Sequence, residues 1–296
     1  MRLFAAALLC LGACSAGAAD ADAIAAASLR AKYDGLQNRL DHNRFHQPLY
    51  LDSSENADGV TGDIYARIAY PFATVRDALK RPGDWCDILI LHINTKYCRP
   101  ASGSRGVVLD VSIGKKHDQV LKDAYRVDFA YRVGAQTTNY LQVGLNAEQG
   151  PFDTRDYRIV LEAVPLEAGD TFVHFSYSFA YGLAGRLALQ VYLGTIGRDK
   201  VGFGVAGTGS DGKPVYIGGI RGLVERNTMR YYLAIDAFLG AASAAPQDRL
   251  DRRLRDWFAA SERYPRQLHE LEQEEYLGMK RRECLRQQSE RRAPAA

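Results

Sequence analysis

Residues 218–239 read GGIRGLVERNTMRYYLAIDAFL, and the rest of the chain is arranged around them. Ile220, Leu223, Val224, Tyr231, Ile235 and Phe238 recur at helical spacing, which predicts one long helix with a continuous apolar stripe. Gly218, Gly219 and Gly222 permit a tight turn into that helix, and Gly240 is placed to end it as a left-handed cap. Glu225, Arg226, Asn227 and Arg230 fall on its other side, near the start. A helix with this much apolar surface needs a sheet to lie across.

The preceding residues supply one. Seven segments alternate apolar and polar residues with period two, the mark of half-buried strands. Their apolar faces carry Val60, Ile64, Ala66, Ile68 and Tyr70; Leu89, Leu91, Ile93, Thr95 and Tyr97; Val107, Leu109, Val111 and Ile113; Tyr125, Val127, Phe129, Tyr131 and Val133; Leu141, Val143 and Leu145; Tyr157, Ile159, Leu161 and Ala163; and Val173, Phe175, Tyr177, Phe179 and Tyr181. Two short helices, over 73–80 and about 84–87, interrupt the series after Pro71. Short connections rich in Gly, Pro, Asn or Asp make the whole a meander of antiparallel strands. An amphipathic helix over 183–196 follows, then KVGFGVAGTGSDGKPVYIGG. Its glycines do not make a dinucleotide loop, because Asp211-Gly212 before Lys213-Pro214 marks a hairpin turn and not a helix start.

Strand, two short helices, six strands and a long closing helix: in that order the chain resembles the START-like, helix-grip superfamily of lipid-transfer and polyketide-cyclase proteins. YARIAYPFATVRDALKRPGDWCDILIL looks like the family's opening strand and helix pair, and GIRGLVERNTMRYYLAIDAFL like its closing helix. The resemblance covers about 59–241 and is one of topology. It implies an α+β fold in which a curved antiparallel sheet of about seven strands grips the helix and encloses an apolar cavity. It does not choose between transport and catalysis.

The residue pattern bears on that choice. Inward-facing Leu91, Tyr97, Phe129, Tyr131, Tyr157, Phe175, Tyr177, Val224 and Tyr231 would give an apolar lining with a few hydroxyls, as a site for a lipid or other hydrophobic small molecule requires. Asp63, Asp110, Asp128, Glu162, His92 and His174 fall on the opposite face, which leaves no titratable group inside for general acid–base work. The bland alternative is a solidly packed core. The enzymatic alternative is a cyclase or hydrolase using Arg226, Asn227 or a tyrosine at the cavity mouth. A third is a structural envelope protein with a filled cavity. No cofactor and no metal is expected; His42 and His46 are four apart, but Pro48 breaks any helix there.

The ends set compartment and context. Residues 1–19, MRLFAAALLCLGACSAGAA, have the plan of a secretory signal peptide, with an apolar run too short to span a membrane. Cleavage after Ala16-Gly17-Ala18 is favoured, while Leu11-Gly12-Ala13-Cys14 also resembles a lipoprotein box that would leave Cys14 acylated. The expected location is the periplasm or the exterior, with a membrane anchor only if Cys14 is lipidated. In that oxidising setting Cys86 and Cys98 can bridge only if the chain folds back, since a strand would hold them on the order of 30 Å or more apart. Two buried thiols are the alternative, and Cys284 then reads as an exposed leftover. Residues 20–58 read as a helix, carrying Leu29, Tyr33, Leu36 and Leu40, and an extended arm. Residues 246–290 read as a helical extension, first with Leu250, Leu254, Trp257 and Phe258, then with dense mixed charge. Mixed charge of this kind usually marks a solvated face; the helix is expected to pack plainly against the domain, with the alternative that Lys280-Arg281-Arg282 meets anionic lipid headgroups. A composition of 47% hydrophobic and 25% charged residues is that of a globular protein, and a net charge of +3 without a basic aromatic stretch argues against nucleic acid.

Overall fold

The computed structural model describes residues 13–292 apart from 105, 168 and 196, with side chains described from 19 to 290. Most of the leader, and the side chain of Cys14, therefore lie outside the described residues. The chain begins with α1 (Ala13–Asp41), β1 (Leu49–Glu55) and β2 (Gly59–Ile68), followed by α2 (Phe72–Leu79) and α3 (Pro82–Leu89). Then come β3 (Thr95–Gly103), β4 (Gly106–Ile113), β5 (Tyr125–Gln136), β6 (Leu141–Gly150), β7 (Thr154–Pro165) and β8 (Thr171–Tyr181). After α4 (Leu183–Thr195) and the hairpin β9 (Val205–Thr208) and β10 (Pro214–Tyr216) comes α5 (Gly219–Gly240). The tail is α6 (Arg249–Glu262), α7 (Pro265–Leu268) and α8 (Gln273–Arg292).

One eight-stranded antiparallel sheet runs in the order β1-β2-β8-β7-β6-β5-β4-β3. The helix-grip arrangement follows: α5 lies across β1, β2 and β8, with the helix pair and the tail closing the other end. Burial alternates along β2 and β8, which places Ile64, Phe175 and Leu161 side by side on the inner face. The outer face is covered too. Leu29, Leu36 and Leu40 of α1 bury Phe172, Val164, Tyr140 and Ala135 in a second, smaller core.

Three sequence expectations change. The extended arm contains β1, whose Leu49 and Leu51 pack inward beside Ala66 and Ile64, so the sheet has eight strands. The strand expected over 88–97 is the end of α3 and a turn, and β3 starts only at Thr95. Ile88, Leu89, Ile90, Leu91, His92 and Ile93 are all buried, and a run buried on every side carries no period to tell strand from helix. Gly240 is right-handed, at φ −62°, and the chain continues into a 3₁₀ turn; the positive φ lies at Gly219, 63°, at the other end. Close approach explains Gly222, where a Cβ would sit 2.7 Å from the Ile217 carbonyl oxygen.

The tail packs against the domain, as expected, and does so through buried charges. α8 runs along the edge strand β3, where its side chains take up backbone groups that an edge leaves open. Cys98 N–H donates to Gln287 Oε1 at 2.9 Å, while Arg286 and Lys280 donate to the Lys96 and Thr95 carbonyls at 2.8 and 2.6 Å. Lys280 and Lys96 share the buried Glu283, at 2.8 and 3.1 Å. Lys280 is thus unavailable to a headgroup, and Arg281 and Arg282 are held by Asp251 and Asp118. Among the described residues no helix is long and apolar enough to cross a membrane.

Candidate functional site

The inner face of β5, β7 and β8 converges with α5 on a group of aromatic rings. Tyr157 lies 6.4 Å from Phe129, 6.2 Å from Tyr177 and 5.2 Å from Phe179, centroid to centroid. Tyr231, one turn past Asn227 on α5, lies 5.5 Å from Tyr177 and 6.2 Å from Phe175. Phe129, Tyr157, Phe175, Tyr177 and Tyr231 are therefore brought together, while Val224 is buried on α5 facing Gly62 of β2. Burial pushes the Tyr157 hydroxyl up to about 12 and the Tyr177 hydroxyl up as well, so both stay neutral donors.

Closure over this group is incomplete. Tyr231 and Asn227 are only half-buried, although His92, Phe175 and Tyr177 around them are buried. Tyr131 and Val133, on the inner face of β5, are half-buried as well, and the Tyr131 hydroxyl has no hydrogen-bond partner among the described residues. Two clefts among the described residues lie elsewhere. One, of about 310 Å³, is at the α1–β1 connection, and the other, of about 510 Å³, is near the β3–β4 turn and the adjoining ends of β5 and β6.

Two members of the expected lining belong to other places. Leu91 is buried in the turn after α3, and its carbonyl accepts the Tyr276 hydroxyl at 2.9 Å. Tyr97 sits opposite Ser112, on the face of the sheet away from Cys98 and Val111, because the ladder shifts register between Thr95 and Tyr97. Cys86 and Cys98 are joined, with Cα atoms 5.1 Å apart: Cys86 is on α3, and the turn after it folds the chain back. Cys284, expected exposed, is buried, and burial pushes its thiol up to about 12.

His92 is the main residue that sequence reasoning misplaced. It is inside, stacked on Tyr231 with centroids 4.6 Å apart, and beside Asn227. Its Nδ1 accepts the Asn94 N–H at 3.2 Å, and its Nε2 has no partner among the described residues. Burial, and then the Arg230 charge, hold its pKa well below the ordinary histidine value, so the ring is neutral.

The polar side of α5 is also buried. Glu225, 1% exposed, accepts the Phe203 and Gly204 N–H groups at 2.6 Å each and the Ser53 hydroxyl at 2.5 Å. Gly202 and Gly204 are required there, since a Cβ on either would meet that carboxylate within 2.3 and 2.7 Å. The glycine-rich stretch is thus a backbone cradle for a carboxylate of the chain itself. Next to it Arg230 and Lys116 each approach Glu270 at 2.7 Å, and Lys200 lies 3.7 Å from its other oxygen. Arg226 is buried in the same neighbourhood.

His174, by contrast, lies outside as expected, on the outer face near α1. Its ring nitrogens are 2.9 Å from Asp63 and 2.9 Å from Glu162, and Tyr140 donates to the same glutamate. Burial opposes the charged ring, but the two carboxylates outweigh it and lift His174 to about 9. Among the described residues no group of three or more His, Cys, Asp or Glu could hold a metal ion.

No protein-family model and no curated protein sequence matches this chain. Among solved structures it is similar to a truncated norcoclaurine synthase from Thalictrum flavum, with TM-score 0.34 and 10% identity over 49% of this chain and 91% of that one. It is similar to Ara h 8.0201, with TM-score 0.34 and 11% identity over 65% of this chain and 99% of the other. A conserved protein of unknown function from Enterococcus faecalis gives TM-score 0.32 and 7% identity over 80% and 91%. Likeness at this level carries nothing about ligand or activity; the helix-grip assignment stands on strand order and on the position of α5.

Proposed function

We propose that this chain is an exported protein that binds or carries a lipid or other hydrophobic small molecule between α5 and the sheet. The observation that carries the reading is Tyr231: it has three buried rings around it, yet part of its own surface stays accessible, as does that of Asn227 one turn before. An apolar ligand covering that surface would gain roughly 25 cal/mol for each Å² of apolar surface removed from water. Export is supported by the leader pattern of residues 1–19 and by the Cys86–Cys98 bond, which suits an oxidising compartment. Contact with a membrane surface belongs to the proposal. The exposed stripe Leu183, Leu187 and Val191 on α4 supports it better than the tied-down Lys280–Arg282 run does. Native mass spectrometry of the protein expressed with its leader tests the reading. A co-purifying hydrophobic molecule, lost in Tyr231→Trp, is expected; a bare mass together with no uptake of a hydrophobic fluorescent probe would remove it.

A second reading, a cavity enzyme, is favoured by one observation: neutral His92 is inside beside Tyr231, which gives the interior the base that the sequence pattern had put outside. Turnover of a bound molecule that His92→Phe abolishes without loss of binding would establish it.

A further inference from the structure

We propose that a seam between β5 and β6 takes up an extended peptide segment of a partner protein, carrying a basic side chain, as an added strand. This site is separate from the one between α5 and the sheet and does not depend on it.

The β5–β6 ladder ends at Ala130 opposite Asn146, although β5 starts at Tyr125 and β6 continues to Gly150. Over that stretch each strand stays paired on its other side, Tyr125–Phe129 with β4, and Ala147, Gln149 and Gly150 with β7. The sheet therefore splits. Backbone groups of Tyr125–Phe129, and of Ala147 and Gln149, face a gap where a neighbouring strand would be. The cleft of about 510 Å³ lies in this split. Val127 and Asp128 point to opposite faces of the sheet, and both line it, as do Glu148 and Gln149, so the cleft runs through the sheet and not along one face.

Charge explains the split and selects the occupant. Continuing the register past Ala130 would set Asp128 directly opposite Glu148, and Asp128 already stands opposite Asp110 of β4. Like charges directly opposite one another work against pairing. Arg99 and Arg126 are gathered on Asp110, at 3.3 and 2.8 Å, and Arg126 is 3.5 Å from Asp128. A basic side chain on a strand between Asp128 and Glu148 would separate the two carboxylates and balance them. Open edges are templates for pairing with another chain, and folds usually cover them. Here α8 covers the start of β3, while the two facing edges of β5 and β6 stay open. An inserted strand would find backbone partners on both sides, with alternate side chains beside Asp128 on the outer face and beside buried Val127 and Phe129 on the inner. The open run Tyr125–Phe129 spans about 17 Å, the length of a five-residue strand.

The probe is a labelled, end-capped peptide, threonine-valine-lysine-valine-threonine, added to the whole protein and followed by fluorescence anisotropy and amide hydrogen exchange. It should slow exchange at 125–129 and 147–149 ahead of the rest of the sheet. Glutamate in place of its lysine should weaken binding about fivefold or more, and methylation of its backbone nitrogens should abolish binding. Asp128→Lys turns both like-charge pairs into attractive ones, so the seam should close: the same amides should gain protection without peptide, and the peptide should be excluded. Asp128→Asn should reduce the preference for lysine over glutamate, and it covers the case in which the lysine variant fails to fold. Absence of binding at millimolar peptide, or binding that leaves those amides unprotected, would overturn the added strand. Equal binding of the lysine and glutamate peptides would overturn the basic requirement. Concentration-dependent protection of the same amides in the protein alone would overturn the partner peptide in favour of a second copy of this chain.

Discussion

The His92 imidazole stacks on the Tyr231 ring at 4.6 Å, with 26° between their planes, tying the turn after α3 to the middle of α5. The two residues are distant in sequence, and the contact covers one side of a Tyr231 ring that stays half-buried. It also means that the closing helix is held by more than the sheet.

Tyr231→Ala removes a ring that touches His92, Tyr177 and Phe175. Because the ring is only half-buried, the loss should fall toward the lower end of the range for large-to-small changes, about 2–3 kcal/mol. Melting temperature and retention of a hydrophobic probe should fall together. A variant that melts and binds like the parent would take α5 out of the site.

Glu225, on the side of α5 that reads as polar in sequence, is buried and holds the loop after α4. Glu225→Ala strands the Phe203 and Gly204 N–H groups in a buried place and should cost about 2–4 kcal/mol. Glu225→Gln keeps an acceptor and should cost less. Hydrogen exchange at the two amides is the check: they should lose protection in the alanine variant before the sheet does.

His174 predicts a pH dependence. Its pKa is raised on folding from 6.5 to about 9, so the folded state binds the proton more tightly. That stabilisation is fully present below about 6.5 and is lost as pH rises through about 9. The shift corresponds to about 3 kcal/mol, from 1.36 kcal/mol per unit. His174→Gln should flatten this limb of a stability profile taken by urea titration; an unchanged limb would show that another group carries it.

Cys14→Ala separates the two export routes. With ordinary cleavage after residue 18, cell fractionation should find the variant wholly in the soluble periplasmic fraction, like the parent. Loss of a membrane-bound pool on that substitution would establish the acylated form instead.

The strands were legible wherever one face is buried and the other wet. The period-two segments at 60–68, 107–113, 125–133, 157–163 and 173–181 lie within β2, β4, β5, β7 and β8. The helix at 219–240 and the short pair α2 and α3 were legible for the same reason, an apolar stripe with a defined period. Where a segment is enclosed on all sides, as at 88–93, the period vanishes, and His92 was assigned to the wrong face.

What the sequence determined by itself was therefore the set of elements and the apolar faces that must meet. The fate of the polar side of α5 was decided only in three dimensions. A helical wheel assigns faces relative to one partner, and α5 has several: β1 supplies Ser53, the loop after α4 supplies the Phe203 and Gly204 amides, and the tail supplies Glu270 and Trp257, whose Nε1 donates to the Arg230 carbonyl at 3.0 Å. Those segments are far apart along the chain, and no local pattern encodes their meeting. Burial of Glu225, Arg226 and Arg230 is a consequence of that assembly: each buried charge then needs its partners from segments that no helical wheel can foresee.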